Sequence, residues 1–322
     1  MSARSPLPPT QWMGILVLLC VATLPGGLAG QQPVPSLDSL AARFAAIPAV
    51  SGYEQSLVDT LLALLPGSAR DRAGDVVLTL GEGEPRTLIA CPLDEPGFLV
   101  GAIRADGYLT LRRAGAAGPL GDQQLEGQRV TITGRKGPVP GVVGVRSIHL
   151  TRGRTITESP FTVDEAFVDV GASTGAEAAG LGIELLSVVT RARAPLRYGD
   201  SLLATPVAGR RAACAALLRA GRQAHPARGR VVIAFLVEQN LTRRGLSTIA
   251  RTLGPFTDAI LLDAQRDSTA PGRLASLDPA NLPMLDLWGL PVRYGGTQVE
   301  TVSLTAAARM ERALVIRIGG GE

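Results

Sequence analysis

The sequence predicts an α/β fold interrupted by a β-rich insert, on three observations. Residues 231–237 and 258–262 are continuous apolar runs of strand length, the pattern of strands covered on both faces. An Ala/Leu-rich helical stretch at 210–222 and a second helical stretch at 247–253 alternate with them. Between 99 and 198 the character changes to short β-branched runs punctuated by Gly, Pro and Asp. A chain of 322 residues has room for this arrangement, with α/β segments at 31–98 and 199–322 enclosing the insert.

In chain order, 37–44 reads as a helix with Ser36 as N-cap and Asp38 in its first turn. Ser51 followed by Glu54 three residues later reads as a capping box opening a second helix, which Pro66-Gly67 stops after Leu65. Strands are expected at 76–80 and 87–91. In the insert they fall at 98–103, 108–111, 128–133, 139–145 and 167–170, with Asp106-Gly107 and Lys136-Gly137 as hairpin signals. A short helix is expected at 173–181, a further strand at 284–290 and a last helix at 305–312.

Composition narrows function. Charged residues are 19% and hydrophobic ones 46%, so the chain is not disordered. The net charge of +4 is small, and the Arg pairs at 112–113, 210–211 and 243–244 are scattered rather than striped, which argues against nucleic-acid binding. Residues 12–24 form an apolar run short of membrane length, followed by small residues to Gly30. This is the pattern of a cleaved export signal over 1–30, so a secreted or periplasmic protein without a membrane anchor is expected.

With Cys20 in that signal, Cys91 and Cys214 remain. Both lie in apolar runs and are read as buried thiols, a single bridge between them being the other reading. The only histidines are His149 and His225, so a histidine-rich metal site is excluded. His225 is placed in an exposed loop.

An ordered set of segments then resembles one family. It comprises Ile47-Pro-Ala-Val-Ser-Gly-Tyr-Glu54, Leu93-Asp-Glu-Pro-Gly-Phe-Leu-Val100, Leu125-Glu-Gly-Gln-Arg-Val130, Val139-Pro-Gly-Val-Val-Gly144, His149-Leu150 and Phe167-Val-Asp-Val-Gly-Ala-Ser173. The set is similar to the tetrahedral (glutamyl) aminopeptidases, peptidase family M forty-two, two-metal exopeptidases. The resemblance implies a zinc-aminopeptidase-like three-layer α/β sandwich with an inserted small, PDZ-like β-barrel. It also implies homo-oligomers and peptide substrates.

The resemblance also locates the site. Such a centre uses two divalent ions about 3.5–4 Å apart, histidine and carboxylate ligands, and a glutamate base. Here Pro92 stands at a ligand histidine, Gly209 at the bridging aspartate, and Gln239 and Asn240 at the base and its neighbouring ligand. Gly296 stands at the last histidine. Asp263 is the one direct ligand kept, and Asp94 keeps a supporting role.

Glu238, one residue from the base position, is read as a capped or solvated strand-end residue, and His149 as a packed structural one. Asp263 is expected to pair with Arg210 or Arg266, and the Arg210 cation either replaces a metal's charge or accepts a carboxylate ligand. The reading is a non-catalytic relative without cofactors that binds peptides or assembles, with itself or with an active relative. The alternative is an active zinc aminopeptidase with an atypical site.

Overall fold

The computed structural model describes residues 34–115, 122, 124–145, 161–265, 272–276 and 278–321. The expected export signal, Cys20, His149 and Arg266 lie outside the described residues.

Helix α1 (Leu37–Ala46) begins as its cap predicts, the Ser36 hydroxyl accepting from the Ser39 N–H at 3.3 Å. Helix α2 (Gln55–Leu64) and strands β1 (Ala69–Arg70), β2 (Val76–Glu82) and β3 (Arg86–Pro92) follow. The insert supplies β4 (Gly97–Ile103), β5 (Leu109–Ala114), β6 (Arg129–Gly134), β7 (Gly137–Val143), β8 (Phe167–Asp169), the short helix α3 (Gly175–Gly180) and β9 (Val188–Arg191).

The chain then returns through β10 (Leu196–Tyr198), β11 (Leu202–Ala204), α4 (Ala208–Gln223), β12 (Gly229–Leu236), α5 (Arg244–Leu253) and β13 (Asp258–Gln265). It ends with β14 (Arg273–Leu274), β15 (Leu285–Arg293), β16 (Thr301–Ser303) and α6 (Leu304–Ile318).

Ten strands form one sheet in the order β1-β2-β12-β3-β13-β15-β16-β11-β10, with β14 paired to β15. Its centre, β12-β3-β13-β15, is parallel, and the outer pairs are antiparallel. Successive side chains of a strand face opposite ways. Ile89, Cys91, Ile233 and Phe235 therefore pack under α1, α4 and α6, while Leu88, Ala90, Val232 and Ala234 meet Leu246 and Ile249 of α5. That gives three layers, as the resemblance implies. Strands β4-β5-β8-β7-β6-β9 close into a barrel around Val100, Leu109, Ile132, Val168 and Val189.

Three local expectations need correction. Ser51 does not cap α2. Its hydroxyl donates to Asp94 Oδ2 at 2.6 Å, and the helix starts at Gln55, with Glu54 at the cap position but making no cap bond. The pull of a buried carboxylate outweighs the local cap. The last helix runs to Ile318 rather than 312, because Leu314 and Ile318 remain buried in the core.

Cys91 and Cys214 are not free thiols but a disulfide, with Cα atoms 5.6 Å apart. The apolar runs correctly indicate burial, but sequence does not show that the end of β3 abuts the second turn of α4. The bridge closes a loop of 123 residues. The denaturant-accessible thiol count of the chain without residues 1–30 should therefore be zero until a reductant is added. The double variant Cys91→Ala/Cys214→Ala should lose about 2–4 kcal/mol in chemical denaturation.

Candidate functional site

The carboxyl ends of parallel strands are where an open α/β sheet forms its crevice, because the connections diverge there. Asp94 follows β3, residues 237–240 follow β12, and Asp263 lies in the second half of β13. The first turn of α4 and the segment 294–300 reach the same place.

Arg210 is the centre of the site. It is buried on the first turn of α4 and grips Asp263 with both arms, Nε to Oδ1 at 2.9 Å and Nη2 to Oδ2 at 2.8 Å. Its third nitrogen, Nη1, donates to the Asp94 carbonyl. Burial disfavours the cation, but Asp263, by charge and hydrogen bond, and then Asp94 and Glu300 hold its proton more firmly than in a free arginine. Of the two partners anticipated for Asp263, Arg210 is the one present among the described residues.

Asp94 is fully buried. Its Oδ2 accepts from the Ser51 hydroxyl and from the Asn240 N–H at 2.7 Å, and its carbonyl accepts from Asn240 Nδ2 at 2.9 Å. Asn240 therefore gives its backbone N–H and one side-chain N–H to Asp94. The Gln239 Oε1 is buried with no hydrogen-bond partner among the described residues. Glu238, read as a capped or solvated strand-end residue, sits at φ 50°, its N–H donating to Glu54 and its carboxylate pairing with Arg244 at 3.0 Å.

Pro92 ends β3. Gly209 and Gly296 are joined by Glu300, a residue the sequence reading did not single out. Its Oε1 accepts from Gly209 N at 3.1 Å and its Oε2 from Gly296 N at 2.9 Å. A Cβ on Gly209 would lie 2.6 Å from Val292 Cγ1 and 2.8 Å from Ala264 Cβ. Gly296 occupies the left-handed region at φ 75°, which side-chain-bearing residues rarely adopt.

A second ionic cluster lies behind the first, also missed. Glu95 is buried between Arg193 and Arg211 and accepts from Ala49 N at 2.8 Å. Burial raises its pKa, but the two guanidiniums prevail and hold it below the usual carboxylate range. Arg211 is wholly buried, and desolvation pulls it down to about 10. The sequence signals were faint: an acid beside Asp94 and an arginine doublet. Among the described residues no three His, Cys, Asp or Glu side chains converge as metal donors.

The M42 glutamyl aminopeptidase model matches residues 74–272, more than half of the chain. The chain belongs to this family.

Among similar M42 relatives, it is 34% identical over 177 residues to the putative aminopeptidase SgcX of Escherichia coli, covering 53% of this chain and 46% of that one. It is 29% identical over 213 residues to the lysyl aminopeptidase of Pyrococcus furiosus, covering 65% and 61%. The chain thus spans roughly half to three-fifths of these relatives. Its fold is that of the Pyrococcus horikoshii TET1 peptidase, with a TM-score of 0.76 at 21% identity, 88% of this chain and 99% of that one being covered. The APDkam598 aminopeptidase of Desulfurococcus kamchatkensis gives 0.73 at 18%, over 87% and 94%.

Two outcomes follow from this M42 site. Replacing Gly209 by Asp, the residue the resemblance implies at that position, drives a side chain into Val292 and Ala264. It should cost about 1–3 kcal/mol by overpacking, read as a lower denaturation midpoint. Asp75 is buried and accepts from Val237 N, just past the end of β12, at 2.8 Å. Burial first, with Asp71 and Glu54 nearby, raises its pKa from 3.8 to about 8. Between these values the folded state holds the proton and the unfolded state has lost it. Stability should therefore fall as pH rises from about 4 to about 8. Asp75→Asn should flatten that slope in pH-dependent melting.

Proposed function

We propose that this M42-family protein is an exported, non-catalytic member that binds peptides in the aminopeptidase cleft and works without metal ions. The observation carrying this reading is the two-armed Arg210–Asp263 pair, which puts a fixed cation where the family resemblance implies ions. The donor set supports it. A co-catalytic pair needs several imidazole or carboxylate donors. Here Asp263 is engaged by Arg210 and Asp94 by Ser51 and Asn240, and the remaining positions are Pro92, Gly209, Gln239, Asn240 and Gly296. These residues do not fit a two-ion centre. Gln239 cannot take a proton from water at neutral pH, so no general base replaces the glutamate.

Export is supported by the apolar run and small-residue stretch of residues 12–30, and by a buried disulfide, a bond kept in oxidising compartments. Self-assembly is supported by the likeness to the TET1 peptidase, whose structure is described as a tetrahedron or an octahedral shell. The aminopeptidase names of the relatives favour the second reading, an active enzyme.

The test is elemental analysis of the purified protein with aminoacyl-anilide turnover measured on the same sample. The proposal expects far less than one equivalent of zinc, cobalt or manganese, and no chelator-sensitive turnover. About two equivalents of ion, with turnover abolished by chelation, would establish the active enzyme instead. Arg210→Ala should remove about 3 kcal/mol of stability by leaving Asp263 and the Asp94 carbonyl without their donor, checked by chemical denaturation.

A further inference from the structure

Four guanidiniums gather where the barrel meets the carboxyl ends of the strands, and three have carboxylates. Arg210 holds Asp263, while Arg193 and Arg211 share Glu95. Arg191, two residues before Arg193 and at the end of β9, has none within ion-pair distance among the described residues. The charges acting on it are those of Glu95 and Arg193. It is half-buried, and desolvation lowers its pKa to about 10.

Its neighbours are carboxamides. Nη1 donates to Gln124 Oε1 at 3.4 Å. The Gln298 amide, with its oxygen turned to the guanidinium, accepts from Nη2 at 2.9 Å and Nη1 at 3.2 Å, and also from Nε. Gln124 Oε1 in turn accepts from Gln298 N at 3.3 Å. Gln298 belongs to the segment that carries Gly296 and ends at Glu300, whose carboxylate reaches Gly209 beside Arg210.

We propose that Arg191, Gln124 and Gln298 form a carboxylate-binding subsite at the boundary between barrel and sheet. A guanidinium withdrawn from water is better served by a full negative charge than by amide oxygens, and its fork matches a carboxylate with two parallel bonds. A carboxamide carries two donors as well as an acceptor. When an anion arrives, the Gln124 and Gln298 oxygens give up the guanidinium to it and their NH₂ groups turn onto it, so the anion takes over as the acceptor for Arg191. One cation flanked by two rotatable amides is thus satisfied without the ligand and better satisfied with it. This subsite deepens the peptide-binding reading: the ligand is a peptide with a carboxylate, terminal or side-chain.

The test uses the protein lacking only residues 1–30. Glutarate should raise its melting temperature above that in sodium chloride of equal ionic strength, and Arg191→Gln should lose the response. Gln298→Glu, which supplies an internal carboxylate, should raise the resting melting temperature and also lose the response. An absent response in the wild type, or one retained by Arg191→Gln or Gln298→Glu, overturns the subsite. Calorimetry with trialanine, trialanine amide and Ala-Glu-Ala amide then identifies the carboxylate. Preference of about tenfold or more for the free acid indicates a chain terminus, and the same preference for the glutamyl amide indicates a side chain. Peptides that fail to bind while glutarate still acts would remove the peptide reading and leave the subsite. Equal binding of all three peptides would remove the subsite and leave the peptide reading.

Discussion

A crevice holding several carboxylates requires compensating positive charge, and here the chain itself carries it. Asp94, Glu95, Asp263 and Glu300 face one region, and Arg193, Arg210 and Arg211 stand among them. Removing these acids from water costs several kcal/mol each unless each finds a partner. A covalently attached guanidinium does this without depending on ion concentration. It also brings a rigid fork that fixes direction, which a bare charge does not.

Arg210 gains its position from a chain of constraints. The disulfide pins the second turn of α4 to the end of β3, one helical turn from Arg210, so the guanidinium and the Asp94 carbonyl keep their spacing. Gly209 lets the start of the helix lie against Ala264 and Val292, which brings Arg210 within reach of Asp263. Glu300 ties Gly209 to Gly296, so two of the altered positions act as one unit. A larger side chain at Gly209 would move the helix start and disturb its hydrogen bond to Glu300 as well.

The three-layer sheet and the barrel were legible because burial leaves period-two and fully apolar runs in sequence, as at 231–237. The Arg210–Asp263 pair was legible because a charge beside a retained acid admits few alternatives. What escaped was set by three-dimensional proximity. Ser51 carries a local capping signal, yet Asp94, 43 residues away, takes its hydroxyl. Cys91 and Cys214 are indistinguishable from buried thiols until strand end and helix are packed together. The Glu95–Arg193–Arg211 cluster joins segments about 100 residues apart, and no spacing rule announces it.

The origin of the cations gives the insert a role in the cleft. Arg191 and Arg193 come from the last barrel strand and the residues after it, whereas Glu95 and Gln298 come from the ends of the sheet. Charge complementarity therefore runs across the junction of barrel and sheet, and the Arg193–Glu95 pair is almost fully shielded from water. Bonds of that kind tolerate little displacement, because any movement exposes an unpaired ion to a poorly hydrated space. The pair ties the chain leaving the barrel after β9 to the chain entering it before β4. A ligand that engages Arg191 then meets a framework that is already assembled.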